Sequence, residues 1–278
     1  MDINNKSPLR YPGGKTRACK ILERIVASKF GTEGFNTIVS PFFGGGSFEF
    51  HMQNNHNYKI IANDKFTPLY SFWKQVKVDK AKLCCELRCV PTVSKSDFAN
   101  YRASIMNLSE NTLQQSIQYF IINRCSFSGA TLSGGFSEES SIKRYTQSAI
   151  SRIEALNLTS TDIYNLDFEE FLNTCIPDIA LPLLYLDPPY FLEGKKSNLY
   201  GNNGDMHETF DHRRLFDTIS RRNNWILTYN NCDYIRELYK NYTIIDVGWS
   251  YGMNKSKSSS EIIILSLPAQ PSENSISK

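Results

Sequence analysis

The chain has 278 residues, 41% hydrophobic and 13% aromatic, enough for one substantial core or a core carrying an insertion. No run approaches the roughly 18 apolar residues of a bilayer span, and the opening MDINNKSPLRYPGGK has no apolar leader segment, so a soluble, intracellular protein is expected. The net charge of +3 is small, but eleven Lys and Arg stand against six Asp and Glu between positions 65 and 150. That local surplus suits a polyanion and equally suits a solvated helical surface. Seven cysteines show no zinc spacing: Cys84 and Cys85 are adjacent, and neither a His nor a fourth Cys stands near Cys89. Reduced thiols and no metal are expected.

Short β-branched runs alternate with helical stretches along the chain. Residues 36–42 read as a strand running into Gly44-Gly45-Gly46, and 47–54 as the helix that follows. A second strand, 58–64, closes on Asp64. Further strands fall at 162–167, 181–187 and 225–229, while 242–247 and 261–267, joined by a Lys/Ser loop, read as a hairpin. Strands separated by helices predict an α/β protein with a mostly parallel sheet, to which the closing hairpin adds an antiparallel strand. Between 67 and 160 the rhythm breaks into helical spacing (Leu83, Leu87; Ile117, Phe120, Ile121) with a Ser/Gly-rich piece at 126–141. The expected organisation is a discontinuous domain, 1–66 and 161–267, a mainly helical insertion at 67–160, and a disordered tail at 268–278.

Strand, glycine turn, helix and a second strand ending in an acid make a nucleoside-binding unit. Glycine admits close backbone approach, and the acid accepts hydrogen bonds from ribose hydroxyls. Phe43, Gly44 and Gly46 supply the turn here and Asp64 the acid, but the third glycine of the dinucleotide fingerprint is Glu49. That disfavours a pyrophosphate and leaves a nucleoside without phosphates. Pro12-Gly13-Gly14-Lys15-Thr16 lacks the earlier glycine of a phosphate loop, Leu9 standing in its place, so an NTPase is excluded.

The most specific string is Leu183-Leu184-Tyr185-Leu186-Asp187-Pro188-Pro189-Tyr190. An apolar strand delivers Asp187 to its carboxyl end, the usual ligand crevice of an open α/β sheet. Pro188 and Pro189 stiffen the backbone and remove two N–H donors, which leaves the Pro188 carbonyl beside the carboxylate as a second acceptor. Tyr190 offers a flat face. Two acceptors and an aromatic face suit a planar amine on an aromatic ring, whose delocalised lone pair must be turned toward a methyl donor. The bland alternative is a Pro-Pro turn after a buried strand; the glycine turn and Asp64 upstream count against it.

These residues together resemble the DNA adenine methylase family, the Dam-like D12 class. Tyr11-Pro12-Gly13-Gly14-Lys15 matches its leading aromatic-x-Gly-Gly-Lys element, with Tyr11 where Trp is frequent. Pro41-Phe42-Phe43-Gly44-Gly45-Gly46-Ser47 matches its glycine motif, Asp64 its second-strand acid, and Asp167-Phe168 the pair that contacts the cofactor adenine. Asn123-Arg124-x-x-Phe127-Ser128-Gly129 resembles a segment at the edge of its recognition domain, and Asp187 to Tyr190 is its catalytic motif. The motif order is that of the α group.

The resemblance implies a Rossmann-like methyltransferase sheet with an inserted target-recognition domain, and S-adenosyl-L-methionine as cofactor. It implies methylation of adenine N6 in double-stranded DNA; a monomer or weak dimer, cytoplasmic, nucleoid-associated and bacterial or phage-encoded, is expected. Tyr11, Lys15, Asp64 and Asp187 would line the cofactor site. Whether the enzyme stands alone or protects DNA from a separate cognate restriction endonuclease stays open.

An amine inside a duplex must be flipped out to be methylated. Tyr190 would stack on the flipped base, and the loop 191–210, with Lys195 and Lys196, is long enough to close over it. Arg124, Ser128, Lys143 and Arg144 are the candidate groove or phosphate contacts, and Lys255 and Lys257 could reach phosphate from the hairpin tip. Asp211 should cap a helix at His212; His51, His56 and His207 show no evident partner. Cytosine-N4 methylation shares the amine chemistry but more often places Ser at the position of Asp187. Methylation at cytosine carbon 5 would need a Pro-Cys nucleophile, which is absent. Protein glutamine methyltransferases usually begin the motif with Asn, and a non-catalytic DNA-binding protein of the same fold would not need the intact set.

Overall fold

The computed structural model describes residues 4–11, 13–108, 111–176, 182–192, 208–248 and 260–268. Among them seven strands form one sheet: β1 (Thr37–Ser40), β2 (Lys59–Asn63), β3 (Thr161–Tyr164), β4 (Leu183–Leu186), β5 (Trp225–Asn230), β6 (Tyr242–Gly248) and β7 (Ser260–Pro268). Their order is β3-β2-β1-β4-β5-β7-β6. The first five are parallel, and β7 runs antiparallel to both β5 and β6. Every residue of β1 and β4 is buried, as the unbroken apolar runs of central strands require. β1 stops at Ser40 because Pro41 has no N–H to donate to the ladder.

The helices are α1 (Cys19–Lys29), α2 (Ser47–His56), α3 (Thr67–Arg88), α4 (Lys95–Ser104), α5 (Thr112–Cys125), α6 (Glu138–Lys143), α7 (Gln147–Glu154), α8 (Phe168–Thr174), α9 (His212–Ile219) and α10 (Asp233–Leu238). Alternate strand residues serve opposite faces. Ile38, Ile60 and Leu183 pack with α1, α2, α3 and α5, while Val39, Ile61 and Leu184 pack with Phe171 of α8, Leu215 of α9 and Ile235 of α10.

The helices between 67 and 160 build onto the first of these faces. Phe72 of α3 stacks on Phe120 of α5, with centroids 5.8 Å apart and planes 7° from parallel, inside the same buried cluster as Ile38 and Leu183. α3 is broken at Asp79 (φ −155°, ψ 77°), whose carboxylate accepts the Lys82 N–H at 2.9 Å and starts the following turns.

From β1 the chain winds outward through β2 and β3, then returns to β4 on the other side of β1. The connections leaving β1 and β4 therefore diverge and open a crevice at the carboxyl ends of these strands. Among the described residues no helix is long and apolar enough to cross a membrane. The hairpin tip with Lys255 and Lys257, the tail beyond Pro268, and His207 lie outside the described residues.

Candidate active site

The crevice is a cavity of about 570 Å³ that brings together Tyr11, Lys15, Gly44, Asp64, Asp167 and Asp187. The turn after β1 is held from three sides. Gly44 N–H donates to Asp64 Oδ2 at 2.9 Å, the Gly44 carbonyl accepts from Trp73 Nε1 at 2.9 Å, and the Tyr11 ring covers it. A Cβ on Gly44 would lie 2.8 Å from that ring, and its φ is +50°. The glycine is thus needed for the protein's own Tyr11, before any ligand is considered. Phe43 borders the cavity, yet its ring is turned into the core against Trp73 at 5.3 Å and Phe50 at 5.7 Å. Gly46, with φ +66°, starts α2.

Asp64 extends from β2 into the cavity wall. Its second oxygen accepts the Phe66 N–H at 3.0 Å. Burial pushes its carboxyl up to about 6, against the downward pull of the Phe66 and Gly44 N–H groups.

Asp187 follows β4. Lys15 Nζ donates to both of its oxygens, at 2.8 and 2.9 Å, and the Thr228 hydroxyl of β5 donates to Oδ1 at 2.6 Å. The Lys15 side chain is 3% exposed, and its ammonium also donates to the Gly13 carbonyl at 3.0 Å and lies 5.2 Å from the Tyr190 ring centre. Pro188 is buried, and Pro189 and Tyr190 are half-buried. The backbone just beyond is latched to β5: Asn230 Oδ1 accepts the Phe191 N–H at 3.0 Å, and its Nδ2 donates to the Phe191 carbonyl at 3.1 Å.

On the far side of Asp64 the cavity becomes aromatic. Phe42, Phe168 and Phe210 meet pairwise at 5.6–5.7 Å, with the Arg214 guanidinium 4.5 Å above Phe168. Asp167, at the rim, caps α8 by accepting the Glu169 N–H at 3.1 Å. It also accepts Lys65 Nζ at 2.9 Å and Arg214 Nη2 at 2.9 and 3.0 Å. Burial would raise its carboxyl, but the bonds from Lys65, Glu169 and Arg214 prevail and hold it below the ordinary range.

The residues expected to meet DNA are placed differently from one another. Arg124 is buried: it is 6% exposed at the end of α5, donating from Nε to the Arg144 carbonyl at 2.6 Å and from Nη1 to the Pro8 carbonyl at 3.1 Å. Burial first, then neighbouring Arg10, lowers it to about 10, so it stays a cation committed to main-chain acceptors. Lys143 and Arg144 are exposed. Ser128 is half-buried at φ +53°, and beside it Phe127 is 66% exposed. Gly129 passes so close to Arg10 that a Cβ would lie 2.6 Å from it. Lys195 and Lys196 lie outside the described residues.

Several residues of the site were not singled out in the sequence: Thr228, Asn230, Phe210, Arg214 and Trp73. A polar Thr inside the apolar run of β5 was the available signal for Thr228. The histidines also find partners. His51 and His56 reach the Glu23 carboxylate at 2.7 and 2.8 Å. His212 Nδ1 lies 2.7 Å from the Tyr229 hydroxyl, next to the Asp211 cap that accepts the Arg214 N–H at 2.9 Å. Among the described residues no cluster of His, Cys, Asp and Glu could hold a metal ion.

A search of curated proteins found no match. The family model for D12 class N6 adenine-specific DNA methyltransferases matches residues 11–253, a span that takes in the glycine turn, the helices 67–160 and the Asp187 motif. With its leading Tyr11 element, its glycine turn and Asp187 converging on one cavity, this chain belongs to the D12 class of N6 adenine-specific DNA methyltransferases.

Proposed function

We propose that the cavity binds S-adenosylmethionine, which enzymes of this family generally use, and that Asp187 presents to it the N6 amine of an adenine flipped out of double-stranded DNA. The observation that carries this reading is the position of Asp187 in the same cavity as Asp64 and the aromatic compartment. The residues fit the cofactor. Phe42, Phe168 and Phe210 offer flat faces to an adenine with Asp167 at its edge, and Asp64 retains lone pairs for ribose hydroxyls. When bound, the cofactor supplies an electrophilic methyl group.

A carboxylate has about four lone-pair sites. On Asp187, Lys15 takes one on each oxygen and Thr228 a second on Oδ1. The remaining site on Oδ2 receives an N6 hydrogen of the target base, and the Pro188 carbonyl receives the other. Held by both, the amine turns its lone pair toward the methyl group. Positive charge developing on nitrogen is stabilised by the carboxylate, which Lys15 and Thr228 hold in a fixed orientation. Asp187 Oδ2 is the first acceptor for the proton that N6 releases. The base stacks on Tyr190, beside the Lys15 ammonium.

The helices 67–160 act as the target-recognition domain in this reading. Exposed Phe127, set next to the left-handed backbone of Ser128, is an aromatic side chain that the core does not use, suited to insertion between bases. Lys143 and Arg144 hold phosphates. The test is incubation of the protein with unmethylated DNA and isotopically labelled S-adenosylmethionine, followed by nucleoside mass spectrometry. Labelled N6-methyladenine from the wild type and none from Asp187→Ala is expected. The reading fails if Asp187→Ala methylates at the wild-type rate.

A further inference from the structure

Glu49 lines the cavity and takes no part in the chemistry above. It stands in the first turn of α2 between Phe48 and Phe50, is 2% exposed, and accepts the Ser40 hydroxyl at 2.5 Å just where β1 ends. Burial pushes its carboxyl up to about 8, against the pull of the Ser40 hydrogen bond. Around it stand Lys15, Cys19 of α1, and Tyr185 and Asp187 from β4. The Tyr185 hydroxyl is buried on the same cavity without a hydrogen bond of ordinary length among the described residues.

A buried acid is costly, and its apolar neighbours Phe48 and Phe50 show that packing alone would be served by a hydrocarbon here. The nucleoside half of the cofactor is accounted for by Asp64 and the aromatic compartment. The lining of the same cavity also takes in Lys15, Gly46, Ser47 and Glu49. S-adenosylmethionine carries an amino-acid tail whose ammonium needs an anion. Asp187 is already paired with Lys15 and is reserved for the base amine.

We infer that Glu49 receives the α-ammonium of the cofactor's amino-acid tail. The inference rests on the cofactor reading given above. An ammonium beside Glu49 favours its charged form, so binding expels the proton that Glu49 carries in the free enzyme.

Calorimetry with two ligands tests this without turnover: S-adenosylhomocysteine, which has the tail, and methylthioadenosine, the same nucleoside without it. Glu49→Gln keeps an acceptor for Ser40 and removes the charge. It should weaken S-adenosylhomocysteine by about tenfold to a hundredfold and leave methylthioadenosine within about threefold of wild type. In the wild type, S-adenosylhomocysteine should bind with release of close to one proton at pH 7, and its affinity should rise by up to about tenfold per pH unit from 6 to 8. Methylthioadenosine shares the ribose facing Asp64, so its flat profile would assign the proton to the tail.

Equal weakening of both ligands, or of neither, overturns the inference. If Glu49→Gln does not fold, proton release by the wild type decides: equal release with both ligands also overturns it. Failure of both ligands to bind the folded wild type sinks the cofactor reading itself, a distinguishable outcome.

Discussion

The Asn123 side chain clamps the main chain of Arg10 from both sides, accepting its N–H at 2.9 Å and donating to its carbonyl at 2.6 Å. Arg10 answers with Nη1, which donates to the Ser126 carbonyl and the Ser140 hydroxyl, both at 3.1 Å. This lashes the segment carrying Tyr11 and Lys15 to the end of α5. Lys15 is thereby held by the same helix end from which exposed Phe127 and Ser128 follow. Asn123→Ala would leave an N–H and a carbonyl unpaired, each costing about 1–3 kcal/mol, for a total loss of about 2–6 kcal/mol in urea unfolding. Methylation should fall further than stability alone explains, because Lys15 loses its fixed approach to Asp187.

In the proposed mechanism Asp187 is the acceptor on which the transfer depends, and the Thr228 hydroxyl bonded to its Oδ1 sets its orientation. Asp187→Asn should lower the single-turnover methylation rate by about a hundredfold or more, by analogy with the loss of one oriented electrostatic group. Thr228→Val, close in shape, should lower it by about tenfold while DNA affinity and cofactor affinity stay unchanged. A Thr228→Val enzyme with wild-type single-turnover kinetics would remove Thr228 from the mechanism.

Asp64 gives a pH signature to the free enzyme. Its folded value of about 6 lies above the ordinary aspartate value of 3.8, so the native state holds the proton more tightly than the unfolded chain. The stability this confers is fully present below the unfolded value and is lost as pH rises through about 6. Wild-type stability should therefore fall by up to about 3 kcal/mol between pH 4 and pH 7 through Asp64. Asp64→Asn, whose single amide oxygen can accept only one of the Gly44 and Phe66 N–H groups, should lose that pH dependence. The same change should weaken binding of the adenosyl ligand. Urea unfolding at the two pH values, with calorimetry alongside, checks both halves.

Buried and exposed arginines should behave oppositely toward DNA. Arg144→Ala is expected to reduce the slope of log affinity against log salt by about 1 and to leave unfolding nearly unchanged. Arg124→Ala removes donors from the Pro8 and Arg144 carbonyls and should cost about 2–4 kcal/mol in unfolding. Phe127→Ala should alter stability by less than about 0.5 kcal/mol yet suppress the rise in fluorescence of 2-aminopurine placed at the target base. An unchanged fluorescence rise would deny Phe127 a part in flipping.

Much of this was legible along the chain. The strands announce themselves as β-branched and apolar runs, and their boundaries shift where a local group intervenes. Pro41 ends β1 two residues before the expected limit, and Asp167 proves to be the cap of α8. Asp187 and Asp64 stand out in the sequence because each closes a strand, and strand ends are where an α/β sheet gathers its ligands. The burial of Arg124 was not legible, for the opposite reason. A cation in a Ser/Gly-rich neighbourhood reads as a solvent-facing group, and nothing nearby in sequence reveals that its acceptors are the carbonyls of Pro8 and Arg144.

The sequence by itself determined the order of strands and helices, the glycine turn, the acids at the strand ends and the family. These are set by short-range backbone preferences and by side-chain periodicity. Only the tertiary structure decided which groups meet. The winding of the sheet puts β5 beside β4, so that Thr228 reaches Asp187, and packing of α3 on the sheet brings Trp73 to the Gly44 carbonyl. Hydrogen bonds and ion pairs act over about 3 Å, and distances that short between residues far apart in the chain follow from the path of the backbone, which no local pattern encodes.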